Sequence, residues 1–156
     1  WEFNYLCLMD KPTYKLQSST DSLQYVFESV SDEKKITKAV AYIQSEDNSD
    51  LYQLIFGDLA ENGDIDVLSV SNNADMKTVL ATVVSTFFQF FEQYPDATVA
   101  FTGSTLSRTR LYRAVISGLV KETELYYQVL GIKENGHFEP FNNQEVYVGY
   151  LITQKR

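Results

Sequence analysis

The residues of this chain best suited to a specific chemistry are three arginines placed close together, Arg108, Arg110 and Arg113. They belong to the segment Thr102–Arg113, which also contains several hydroxyl side chains. Guanidinium groups form forked hydrogen bonds with phosphate and carboxylate groups, and hydroxyls and backbone N–H groups at the start of a helix add further donors. The sequence therefore predicts an anion site composed of Ser104, Thr105, Arg108, Arg110 and Arg113.

The local structure around these arginines strengthens the case for an anion. The apolar run Ala97–Phe101 predicts a strand, and apolar residues at helical spacing follow the arginines. Because a helix begins with a partial positive charge, Arg108 and Arg110 in its first turns are each disfavoured by about 0.3–1 kcal/mol. Two interpretations stay open: the arginines pair with some of the 21 acidic residues of the protein or with a partner's carboxylates, or they bind a phosphate-bearing ligand.

An acidic turn, Asp58–Asp66, suggests a metal site as an alternative. It does not fit a calcium loop, because Ala60 stands where that loop needs a third oxygen ligand and Ser69 where it needs a bidentate Glu. A magnesium-dependent phosphoester hydrolase remains as the alternative function, because one or two carboxylates together with a substrate phosphate are enough to hold that ion. Its candidate ligands are Asp58, Asp64 and Asp66.

Other common catalytic arrangements are poorly represented. His137 is the only histidine and lies in a predicted loop tip, and Cys7 lies near the N-terminus in a segment, 1–12, that we expect to be mobile. Glycine-rich motifs for nucleotide phosphates are absent from the sequence. We therefore expect a protein that is not an enzyme and that needs no cofactor.

Length, charge and composition place the chain in a broad class. With 156 residues and 44% hydrophobic residues, it fits a single domain, 1–156, with a sizeable core. The net charge of -8 disfavours nucleic acid as a partner, since such binding depends on many cationic contacts to phosphate. A single cysteine favours the cytoplasm, and apolar runs are too short to predict a membrane span.

The spacing of hydrophobic residues changes along the chain and predicts where the strands and helices lie. Alternating apolar residues between Tyr14 and Phe56 predict strands, and apolar residues at helical spacing predict a helix over Ala74–Gln93. A second helix is expected over Ser107–Lys121, and further strands over Leu125–Ile132 and Glu145–Thr153. The prediction is an α+β fold with an antiparallel sheet of about six or seven strands, in the order ββββ-α-β-α-ββ, carrying two helices.

The aromatic residues of the early strands offer a third functional alternative. With nearby lysines they have the composition of a platform on which single-stranded nucleic-acid bases stack, although core packing explains them equally well. The rings concerned are Tyr14, Tyr25, Phe27, Tyr42, Tyr52 and Phe56.

Several motifs together resemble a family of small uncharacterised bacterial proteins. The resemblance spans about residues 51–141 and is strongest in the arginine segment. Its other motifs are Phe56–Leu59, Ser71–Asp75, Val79–Val83, Tyr94–Ala97, Phe101–Thr105 and Glu139–Phe141. It implies a compact cytosolic bacterial domain and supplies no catalytic residue. We therefore expect a non-enzymatic binding or regulatory domain whose partner, a phosphate-bearing ligand or another protein, is recognised through Thr102–Arg113, and the oligomeric state stays open.

Overall fold

A computed structural model describes residues 13–31, 34–66, 75–102, 112–114, 116–117 and 126–155 of the chain. The predicted mobile segment 1–12 and most of the predicted helix Ser107–Lys121 lie outside them.

One mixed sheet organises the described residues. Residues 112–114 and 116–117 are helical, and the helix α1 spans Met76–Gln93. The nine strands are β1 (Gln17–Ser18), β2 (Gln24–Val30), β3 (Lys35–Gln44), β4 (Leu51–Leu59), β5 (Ile65–Asp66), β6 (Thr98–Thr102), β7 (Tyr127–Ile132), β8 (Phe138–Pro140) and β9 (Gly149–Gln154). The α+β class is confirmed.

The sheet has more strands than predicted, and one of its pairs is parallel. The strands lie in the order β1-β2-β3-β4-β6-β9-β7-β8, with β5 paired to β4. The additional strands β1, β5 and β8 are only two or three residues long, too short for a periodic pattern to reveal. The pair β4–β6 is parallel because α1 carries the chain back to the edge where β4 began.

The two faces of the sheet differ in what packs on them. We call the face that α1 covers the inner face, and the opposite one the outer face. The inner face carries large buried side chains such as Tyr42, Leu54 and Phe101, with 0–2% of their surfaces exposed. The ring of Tyr42 stacks on that of Phe90 from α1, with centroids 4.1 Å apart. The core therefore lies between α1 and the inner face.

This arrangement corrects the interpretation of the early aromatics as a base-stacking platform. Five of the six rings are at least 94% buried on the inner face, and Tyr14 stacks on Phe27. Bases have no access to rings packed beneath a helix, so these residues are core residues. The five buried rings are Tyr25, Phe27, Tyr42, Tyr52 and Phe56.

The start of α1 is fixed by contacts that its sequence pattern does not reveal. The helix was expected from Ala74, and the structure has Asp75 as the capping residue before Met76. The carboxylate of Asp75 makes no capping hydrogen bond and instead accepts hydrogen bonds from the hydroxyls of Tyr14 and Ser29. These contacts connect the helix start to β2 and to the segment before β1.

The last strand begins later than its apolar residues predicted. Glu145–Thr153 was expected to be extended, but β9 begins at Gly149. Residues 141–148 form a loop, in which the N–H of Glu145 donates to the carbonyl of Asn142 at 3.0 Å. This 141–148 loop is central to the candidate site.

Candidate functional site

The arginine segment begins at the carboxyl end of β6. Since β4 and β6 are parallel neighbours, their carboxyl ends meet at one edge of the sheet. The side-chain amide of Gln53 on β4 donates to the hydroxyl of Thr102 at 3.3 Å. Of the predicted anion-site residues, the structure describes Arg113, while Ser104, Thr105, Arg108 and Arg110 lie outside the described residues.

Arg113 connects its helical stretch to the 141–148 loop. Its Nη1 donates to the carbonyl oxygen of Glu145 at 2.8 Å, and its Nη2 donates to the carbonyl oxygen of Asn143. The guanidinium carbon lies 5.6 Å from the centroid of the Phe141 ring, within the range of a cation–π contact. We call this set of contacts the Arg113 clamp.

The hydroxyl of Tyr150 on β9 lies beside this clamp. Burial raises the pKa of Tyr150 above its ordinary value, and the nearby guanidinium of Arg113 opposes that rise by favouring the phenolate. The positive charge of Arg113 therefore acts on the hydroxyl of Tyr150.

Tyr147 holds the loop from below. Its side chain is 1% exposed, and its hydroxyl donates to Oε2 of Glu139 at 2.6 Å while accepting from the N–H of Asn142 at 3.0 Å. The ring has room because residue 131 is a glycine: a β-carbon there would lie 2.3 Å from Cε1 of Tyr147. Tyr147 and Gly131 thus fix the loop whose carbonyls Arg113 binds.

The acidic groups near the clamp are paired with a lysine. Nζ of Lys133 lies 3.0 Å from Oε1 of Glu139 and 3.8 Å from Oε2 of Glu145. Hydrogen bonds from Tyr147 and Lys133 lower the pKa of Glu139 below its ordinary value. Within the described parts of the chain, no carboxylate forms an ion pair with Arg113.

Asp58 and Asp64, two of the candidate metal ligands, each have a local partner of their own. Oδ1 of Asp58 lies 2.6 Å from Nζ of Lys38, whose side chain is 6% exposed, and Asp66 stands opposite Asp58 in the β4–β5 ladder. The carboxylate of Asp64 accepts from the side-chain amide of Asn62 at 3.1 Å in the turn. Where the structure describes the chain, no three metal-ligating side chains converge.

His137 occupies the exposed turn that the sequence predicted. Its carbonyl oxygen accepts from the N–H of Lys133 at 2.8 Å, and Gly136 has a φ of 87°. Cys7, the other nucleophile candidate, lies outside the described residues.

Sequence reasoning missed the residues that build the 141–148 loop. The apolar spacing of Glu145–Thr153 predicts a strand through Tyr147, and the sequence pattern assigns no role in a site to Glu139 or Lys133. One signal was present: a glycine inside a strand, here Gly131, often marks a close approach by another group.

The fold and site define an α+β protein with one mostly antiparallel sheet and an arginine-bearing segment after its central strand β6. The chain belongs to a family of unknown function, DUF6934, whose model matches residues 10–155. This confirms the resemblance seen in the sequence and extends it beyond residues 51–141.

Two further findings complete the comparison. No curated protein and no solved structure gave a significant match to the chain. Among the helical residues that the structure describes, no helix is long and apolar enough to cross a membrane.

Proposed function

We propose that this protein is a non-enzymatic binding or regulatory domain that recognises an anion through the segment Thr102–Arg113. The anion is a phosphate-bearing ligand or an acidic surface of a partner protein. The three arginines supply charge and forked hydrogen bonds, while two hydroxyl residues and nearby N–H groups add donors. The residues assigned to the site are Ser104, Thr105, Arg108, Arg110 and Arg113.

The observation that carries this proposal is the set of partners of Arg113. Its hydrogen bonds to the 141–148 loop go to the main-chain carbonyls of Asn143 and Glu145, and the side chain beside it on β9 is the neutral phenol of Tyr150. Two carbonyls orient a guanidinium without neutralising it, and they use two of its five N–H donors. This supports an anion binding beside Arg113.

The neighbouring acidic residues support the same conclusion. Glu139 and Glu145 form ion pairs with Lys133, and Asp58 forms an ion pair with Lys38. An internal ion-pair network, the other interpretation of the arginines, requires carboxylates near Arg113 that these described pairs do not provide.

The hydrolase is a second candidate because of one observation. Asp58 and Asp66 are directly opposed across β4 and β5, near the edge at which β6 ends. With Asp64 they would hold a magnesium ion and the arginines a substrate phosphate. The ion pair between Asp58 and Lys38 weighs against this alternative, because a metal would have to displace the ammonium group.

The experiment is a thermal-shift series with phosphate, nucleotides, short single-stranded oligonucleotides and an acidic peptide, each with and without magnesium. A ligand at about 100 times its Kd adds about 2.7 kcal/mol to the free energy of unfolding, a rise of several degrees in Tm for this chain length. The variants are Arg110→Ala and Arg113→Lys, and Lys15→Ala, which removes an exposed positive charge, is the control.

The outcomes separate the candidates. A rise in Tm that Arg110→Ala abolishes and Lys15→Ala retains supports the anion site. A rise that needs magnesium and disappears in Asp58→Asn supports the hydrolase. If every ligand leaves Tm unchanged and Arg110→Ala lowers Tm strongly, the arginines serve the fold and the proposal is wrong.

Two predictions accompany the proposal. The single cysteine favours a cytoplasmic location, and the family resemblance in the sequence implies a bacterial source. Fractionation of cells that express the protein would test the location.

A further inference from the structure

The outer face of the sheet carries a continuous row of uncharged residues. In the described register, residues that stand directly opposite one another across strands share a face. One such row crosses six neighbouring strands, from β3 to β8. Its members are Ile43, Gln53, Ala100, Leu151, Leu130 and Pro140.

A second row lies beside the first. Thr102 stands opposite Gly149, Gly149 opposite Ile132, and Ile132 opposite Phe138. Every outer-face position on β4, β6, β7, β8 and β9 is uncharged, although charged residues make up 22% of the chain. The outer face is thus free of charged side chains over β4 and β6 to β9, and its charged residues, Glu28 and Lys35, lie on β2 and at the start of β3.

Described helical residues pack on the other side. The rings of α1 contact inner-face rings such as Tyr42, and Tyr112 lies against Phe101, also on the inner face. At the two ends of the rows, Ile43 is 51% exposed and Phe138 is 59% exposed. Between these ends Gln53, Ala100, Leu151 and Leu130 are half-buried, so the row stays in part open to solvent. Exposed apolar side chains gathered on one face mark association surfaces in soluble proteins.

The size of the face fits an association between two copies. With strands about 4.8 Å apart and about 3.3 Å per residue, six strands and five residue positions cover roughly 29 by 17 Å, or about 500 Å² on each copy. Two such faces reach about 1,000 Å² in total, the lower limit for a specific interface, before the relief of the side chains is added.

The charge pattern selects a second copy as the occupant. A partner that is recognised through charge would have no charged side chain to pair with on the outer face of β4 and β6 to β9. Two copies that each carry a net charge of -8 repel one another, and contact through the uncharged part of the outer face places no like charges together. The same patch on both copies is self-complementary under a two-fold axis.

We propose that two copies of this chain associate through the outer face, sheet against sheet, to form a dimer. Sheets packed in this way lie about 10 Å apart with their strands rotated by about 30°. Arg113 contacts the 141–148 loop and inner-face residues, so the dimer leaves it accessible. The inference is therefore independent of the anion site.

Sedimentation equilibrium tests the proposal at chain concentrations of about 1–100 µM, a range that covers micromolar Kd values. We expect the wild type to approach the mass of two chains. Leu151→Glu places like charges in the interface and should weaken association at least tenfold, giving the mass of one chain.

A second variant and a control keep the result interpretable. Ile43→Glu changes a side chain that is already half exposed, so it should fold normally and still weaken the dimer. Val146→Glu makes a similar change at a side chain that is 83% exposed and lies in the 141–148 loop, and it should remain dimeric.

Either of two results would overturn the proposal. The first is a wild type that sediments as one folded chain throughout the concentration range. The second is a dimer whose Kd is the same in wild type, Ile43→Glu and a folded Leu151→Glu variant.

Discussion

Nη1 of Arg113 lies 2.8 Å from the carbonyl oxygen of Glu145, a residue 32 positions later in the chain. This contact joins the end of the arginine segment to the 141–148 loop and gives Arg113 a structural role alongside its proposed role in binding. The two roles can be separated by experiment, because the first concerns stability and the second concerns ligands.

We expect Arg113→Ala to lower the free energy of unfolding by about 2 kcal/mol, since hydrogen bonds to charged groups contribute about 1.5–3 kcal/mol each and solvent replaces part of that contribution. Arg113→Lys keeps the charge but not the fork, so its loss should be smaller. Urea unfolding measures both variants. Equal stability of wild type and Arg113→Ala would show that the clamp contributes nothing.

Removing Lys38 should be more damaging. Its side chain is buried and its ammonium group lies 2.6 Å from Asp58, so Lys38→Met leaves a carboxylate without that partner in a largely buried position. Breaking a buried pair from one side costs about 3–5 kcal/mol. Lys35→Met, at an exposed position of the same strand, should change stability by no more than about 0.5 kcal/mol. Chemical denaturation compares the two, and similar losses would contradict the prediction.

A methyl group at residue 131 should disturb the loop. Because a β-carbon there would overlap the ring of Tyr147, Gly131→Ala should cost about 1–3 kcal/mol through displacement of that ring. Gln128→Ala, at an exposed position of the same strand, is the control. Thermal unfolding and the near-ultraviolet circular dichroism of the tyrosines measure the effect. An unchanged spectrum and Tm would mean that the ring moves aside without cost.

Acid should weaken the loop through Glu139. Hydrogen bonds from Tyr147 and Lys133 hold the pKa of Glu139 below its ordinary value of 4.5, so the unfolded state binds the proton more readily. This contribution is present above pH 4.5 and is lost as pH falls through the lower pKa of the folded state. We expect the stability difference between wild type and Glu139→Gln to be constant near neutrality and to shrink below pH 4.5.

Unfolding in urea at several pH values measures that difference. Glu134→Gln, at an exposed acidic position in the nearby turn, is a suitable control, and its difference from wild type should change much less. A difference for Glu139→Gln that stays constant down to pH 3 would contradict the assignment.

Sequence patterns predicted the longer elements well because local burial determines them. The alternation around Phe27 on β2 and the helical spacing around Phe87 on α1 reflect which side of each element meets the core. The strands β1, β5 and β8 are too short to alternate, and their neighbours in the sheet stabilise them. The extended prediction for 145–148 was wrong because Tyr147 is buried beneath a loop rather than within a strand.

The sequence by itself determined the α+β class, the family and the presence of an arginine segment after a strand. These features depend on local spacing and composition, which do not depend on contacts between distant parts of the chain. The tertiary structure alone decided that β6 lies parallel to β4, that Arg113 binds the carbonyls of Asn143 and Glu145, and that uncharged residues of β4 and β6 to β9 share the outer face. Each of these joins residues that are distant in the chain, and only the packing of the whole sheet specifies which distant residues meet.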